Sequence, residues 1–120
     1  MAATMRVRNL SRDTELADRA AVADTFWRRL RGLLGRAGLE PGEGLVIKPC
    51  DSIHMIGMRF PLDVVHLDKS GTVVKVLENI KPNRLGPFVW RSRTAVELPA
   101  GTAAATGTVV GDRVVLEKIA

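Results

Sequence analysis

The chain has 120 residues, 46% hydrophobic and 26% charged, with a formal net charge of +5, one cysteine and no tyrosine. That size and balance predict one soluble globular domain over residues 1–120, and exclude a disordered chain, a disulfide-stapled scaffold and a membrane-spanning one. A single cysteine cannot pair internally and "MAATMRVRNLSRDTE" holds no apolar run of signal-peptide length, so the expected location is a reducing one, the cytoplasm, without export or anchoring.

"MRVRNL" alternates Met5 and Val7 with Arg6 and Arg8 and predicts a strand. "TELADRAAVA" fits a helix on Leu16, Ala20 and Ala23 or, less cleanly, a strand on Leu16, Asp18, Ala20 and Val22; we read a strand, which makes residues 1–24 an N-terminal hairpin. "DTFWRRLRGLLGR" predicts a helix over 25–36. Asp24 or Thr25 supplies an oxygen for the unpaired N–H groups of its first turn. Phe26, Trp27, Leu30, Leu33 and Leu34 then fall within an arc of roughly 120°, opposite Arg28, Arg29, Arg31 and Arg36, with Gly35 and Gly38 as the exit. Residues 1–36 carry eight arginines against four acids, whereas residues 37–120 carry ten bases and nine acids. The basic face reads first as a solvated one; association of the 26–36 helix with an anionic surface is the weaker alternative.

After "EPGEG" the text turns to β over 45–118. "LVIKP", "SIHMI", "PLDVVHL", "TVVKVL", "FVWRSRTAVEL" and "RVVLEKI" are short runs rich in β-branched residues, separated by turn chemistry such as "DKSG" and "GD". Residues 62–77 read as a hairpin around 68–71. The fold expected is mainly β, a compact β-sandwich or barrel-like domain with one short amphipathic helix.

Reactive side chains concentrate in "PCDSIHMIGMRFPLDVV", residues 49–65. On an extended segment Cys50 and His54 lie ~13 Å apart, too far for a histidine to activate the thiol. A thiol mechanism therefore needs a bend here, or His66 from the next strand; a cysteine acting as a small core hydrophobe is the simpler reading. Ser52 and His54, two apart, share a strand face at ~6.6 Å, but no G-x-S-x-G elbow accompanies them. Cys50, His54 and His66 are the only cysteine and histidine residues, too few for a closed four-ligand zinc site of that type; an open site of those three, or with Asp51 or Asp63 joining, is the weaker alternative because the spacing matches no ligand motif, and neither a metal nor a cofactor is expected. Asp63, within "FPLDVVHL", must be bonded to backbone N–H groups, paired with a base such as Arg59, or open to a pocket. Glu97 in "AVELPAG" poses the same question. Met55 and Met58 read as core filler.

The ordered string S-I-H-x-x-G-M-R-F-P-x-D-V, continued by "PNRLGP" and "AVELPAG", resembles the bacterial and archaeal family named domain of unknown function 192. The resemblance runs from "RLRGLLGR" to "GDRVVLE" and implies a small, mainly β domain with a few helical turns and no established activity. The family's signature falls on Ser52, His54, Gly57, Met58, Pro61, Asp63, Glu97 and Gly101. Met55 stands where many members have threonine, and His66 where phenylalanine is expected.

The function expected is a noncatalytic module binding a small ligand or a peptide or protein partner, through Ser52, His54, Met58, Arg59, Asp63 and Glu97. The alternative is a thiol- or histidine-dependent hydrolase or transferase using Cys50, His54 and His66. Nucleic acid is not expected as a partner, because no groove-reading or base-stacking motif is present.

Overall fold

The computed structural model describes residues 4–119, except for the side chain of Phe26. Alternating burial organises the N-terminal hairpin: β1 (Thr4–Asn9) buries Met5 and Val7 and pairs antiparallel with β2 (Thr14–Ala23). The ambiguous "TELADRAAVA" is thus a strand. Thr25 caps α1 (Phe26–Arg31), its side chain accepting from Arg28 N at 3.2 Å. The helix is shorter than the expected 25–36, because Gly32, with φ of 50°, turns the chain out after Arg31. The apolar stripe is also divided: Leu33 is buried and Leu34 half-buried in the turns beyond the helix, while Trp27 and Leu30 are 76% and 52% exposed. Of the five stripe residues expected to cover the core, the Phe26 side chain lies outside the described residues.

β3 (Glu43–Ile47), β4 (Leu62–Leu67), β5 (Val73–Ile80), β6 (Thr94–Pro99) and β7 (Val114–Lys118) complete a seven-stranded sheet in the order β5-β4-β6-β3-β2-β1-β7. The β4–β5 hairpin forms as expected around residues 68–71. "SIHMI" does not join the sheet. It keeps the alternation of a strand, burying Ile53 and Met55 and exposing Ser52, His54 and Ile56, but its partner is the irregular 83–86 stretch, through Met55 N to Arg84 O and Gly86 N to Ile53 O. Of "FVWRSRTAVEL" only residues 94–98 are strand, within β6. A second helix, α2 (Thr102–Thr106), was not expected from the sequence.

The sheet curls until its two edges meet at one end. Val73 N donates to Asp112 O, Gly111 N to Val73 O, and Val114 N to Gly71 O, each at 2.8 Å. A Cβ on Gly71 would lie 2.5 Å from the Val114 carbonyl oxygen, so this seam requires glycine. The result is a half-barrel with two cores. Val7, Leu16, Val46, Val65, Val96 and Leu98 fill the concave face, and Leu45, Ile47, Leu62, Val64 and Ala95 point to the convex face, where Leu33, Ile53, Met55 and Met58 cover them. β4, buried along its whole length, serves both. Among the described residues no helix is long and apolar enough to cross a membrane.

Candidate functional site

Strand alternation places Ala95 and Glu97 of β6 on the convex face, with Leu45 of β3 and Val64 of β4 as the cross-strand neighbours of Glu97. A carboxyl group therefore projects from a central strand between two aliphatic side chains. Residues 49–58 and the turns after α1 cross in front of it and leave a cavity of about 180 Å³. The walls are the buried Leu33, Ile47, Ile53 and Met58. The exposed Arg29, Arg31, Asp51, Ser52 and His54 form the rim.

Glu97 is 5% exposed, and among the described residues no hydrogen bond or ion pair reaches its carboxyl. Burial of that unpartnered group pushes it up to about 7, since removing an ionised carboxylate from water without compensation is costly. At neutral pH it is divided between acid and anion.

The same surroundings quieten the cysteine. Burial pushes the Cys50 thiol up to about 11, outweighing the hydrogen bond it donates to Ser52 O at 3.0 Å, with Glu97 and Asp51 adding to the rise. His66 shares the convex face with Val64 and is fully buried. Its Nδ1 meets Ser92 Oγ at 2.8 Å, and that hydroxyl donates to the Cys50 carbonyl at 2.7 Å, so the connection ends on the cysteine's backbone instead of its sulfur. His66 Nε2 is buried without a partner among the described residues, and burial lowers the imidazole to about 4.

Asp63 faces the other way, into the concave side beneath α2. Its Oδ1 accepts from Asn79 N at 2.8 Å, and its Oδ2 from Gly101 N at 3.0 Å and Ala103 N at 2.9 Å. Asn79 sits at a β5 irregularity with φ of 53°, which turns its N–H away from the β4 ladder. The other two donors belong to the start of α2, whose Gly101 cap position has no side chain to accept them. One carboxylate thus ties β4, a bulge and a helix start together.

Of the residues expected to bind a ligand, Ser52, His54, Met58 and Glu97 line the cavity, whereas Arg59 and Asp63 do not. Asp63 takes the backbone-bonded option of the three open to it. The cavity adds Arg29 and Arg31, which the helical wheel assigned to solvent; Arg29 Nη1 donates to the Pro49 carbonyl at 3.3 Å, a contact between segments that leaves no periodic signal. Among the described residues no group of three or more histidine, cysteine, aspartate or glutamate side chains is placed to hold a metal ion.

The family described as domain of unknown function 192, uncharacterized ACR, matches residues 7–116. No curated protein matches the sequence. Two solved structures share the fold. A protein of unknown function from Novosphingobium aromaticivorans DSM 12444 is 24% identical, with a TM-score of 0.80 over 93% of this chain and 83% of that one. A protein described as a candidate transcription regulator from Sinorhizobium meliloti 1021 is 22% identical, with a TM-score of 0.79 over 97% of this chain and 94% of that one.

Proposed function

The chain belongs to the family of uncharacterised proteins named domain of unknown function 192, and from that premise we propose that it is a noncatalytic binding module holding a small molecule between α1 and residues 49–58. The observation that carries this reading is Glu97: a residue 5% exposed whose carboxyl, without a partner among the described residues, faces a cavity walled by Leu33, Ile47, Ile53 and Met58 and rimmed by polar side chains. Such a group is destabilising until a ligand satisfies it, and a few polar groups in an apolar pocket are what orient small molecules. A volume near 180 Å³ favours a small molecule over a protein partner. Cytoplasmic residence fits the lone unpaired thiol.

Two observations weigh against the thiol- or histidine-dependent alternative. A thiol raised to about 11 is almost wholly protonated at neutral pH, and His66 bonds toward Ser92 and away from the sulfur.

Native mass spectrometry of gently purified protein tests the binding reading. A retained small molecule is expected, lost in Glu97→Gln; no retained mass, together with no thermal shift from a fragment library, would sink it. Alkylation of Cys50 at pH 8 tests the alternative. The native thiol, at about 11 against an ordinary 9.0, should react roughly a hundredfold more slowly than the unfolded one. Fast native alkylation that titrates near neutrality would restore the enzyme reading.

A further inference from the structure

The cavity has a polarity along its depth that narrows the chemistry of its occupant. At the floor is the carboxyl of the buried Glu97, without a hydrogen bond or ion pair among the described residues. In an apolar surround it is satisfied only by N–H or O–H donors, and a neutral donor would leave the charge of the anion uncompensated, whereas an ammonium group supplies both donors and charge. The carboxyl's rise to about 7 is consistent with a site built to exchange a proton for a cation. Midway, Leu33, Ile47, Ile53 and Met58 offer only apolar surface. At the mouth the charge reverses, with two arginines against the single acid Asp51. Arg29 Nη1 donates to the Pro49 carbonyl at 3.3 Å, and neither Arg29 nor Arg31 forms an ion pair among the described residues. A simple alkylammonium ion would meet repulsion there, and a molecule with an anionic outer end would not. The volume sets the length: an apolar cavity of about 150 Å³ admits benzene, so about 180 Å³ holds roughly six to eight heavy atoms.

We infer that the cavity takes a short aliphatic ω-amino acid, with its ammonium on Glu97, its methylenes against Leu33, Ile47, Ile53 and Met58, and its carboxylate beside Arg29 and Arg31. This deepens the binding reading above and rests on it.

Three probes of one skeleton separate the contributions: 5-aminopentanoate, pentylamine and pentanoate, each titrated into uniformly labelled protein while the backbone amides of Gly32, Ile53 and His54 are followed by NMR. Saturable shifts are expected with 5-aminopentanoate, at least roughly tenfold weaker binding with pentylamine, and none with pentanoate, since each lost charged contact is worth about a factor of ten or more. Glu97→Gln should weaken 5-aminopentanoate by about tenfold or more. The double variant Arg29→Gln/Arg31→Gln should bring 5-aminopentanoate and pentylamine to similar affinity. Pentanoate binding as tightly as 5-aminopentanoate, an unchanged affinity in Glu97→Gln, or silence from all three probes would overturn the inference. If native mass spectrometry still finds a Glu97-dependent ligand, the binding reading survives with a different occupant; if it finds none, both fall.

Discussion

Asp63 and Glu97 stand on adjacent strands, on opposite faces of one sheet, and both are almost wholly removed from water. Asp63 collects three backbone N–H groups that neither the ladder nor the short helix can use. Glu97, between Leu45 and Val64, collects none among the described residues. The same functional group is therefore a fastening at one end of the half-barrel and an unfilled acceptor on its convex side. Burial alone does not mark a carboxylate as structural or functional; the supply of donors around it does.

The contrast breaks most visibly at Asp63. Asp63→Ala leaves three backbone donors without their acceptor, at about 1–3 kcal/mol each, so a loss of about 4 kcal/mol or more is expected in urea unfolding. A cost below about 1 kcal/mol would mean that α2 and the β5 bulge are held by something else.

Glu97→Gln should act in the opposite direction. The carboxyl's folded value is raised from 4.5 to about 7, so the neutral group's contribution is intact below pH 4.5 and is lost as pH rises through 7. The variant cannot ionise, and at pH 8 it should exceed the parent by up to about 3 kcal/mol, converging with it near pH 4.5. Equal stability at both pH values would show that Glu97 is already satisfied.

His66→Phe sharpens the description of the convex face. It removes a buried Nε2 without a partner at the cost of one bond to Ser92, for a net gain of about 1 kcal/mol at pH 8. The imidazole's folded value is lowered from 6.5 to about 4, so the parent loses stability as pH falls below 6.5, and the gap should widen by about 2 kcal/mol at pH 5. Between pH 4.5 and 6.5 the Glu97 and His66 slopes oppose each other. Each variant should expose the slope that the other residue hides, and thermal melts across pH read both.

The strands were legible because local pattern suffices over five to ten residues: alternation as in Met5 and Val7, or a β-branched run bounded by turn residues as along 62–67. The β4–β5 hairpin was legible because its turn is local. What failed to show depends on partners remote in sequence. The donors to Asp63 lie 16, 38 and 40 residues away, so neither its role nor the start of α2, which borrows it as a cap, could be read from "FPLDVV" or "GTAAAT". The alternation in "SIHMI" was real, but alternation does not say which neighbour a strand takes. The wheel that placed Leu33 with Trp27 and Leu30 assumed a helix continuing through Gly32; its early end leaves Leu33 inside and the other two outside. The "SIHMIGM" signature did lead to Ser52, His54 and Met58 of the cavity lining, while the arginines opposite had been assigned to solvent by the wheel.

The seam at Gly71 and Val114 also bears on how copies of this chain behave beside one another. A seven-stranded sheet left flat would present two rows of unpaired backbone groups, and such rows template strand addition and fibril growth. Here one end of each row is used within the molecule. What remains of the β5 edge carries exposed Lys75 and Glu78 and the bulge at Asn79, and the β7 edge ends in exposed Glu117 and Lys118. Charges and a kink make poor templates. The curl that sets two cores on one sheet thereby also discourages self-assembly.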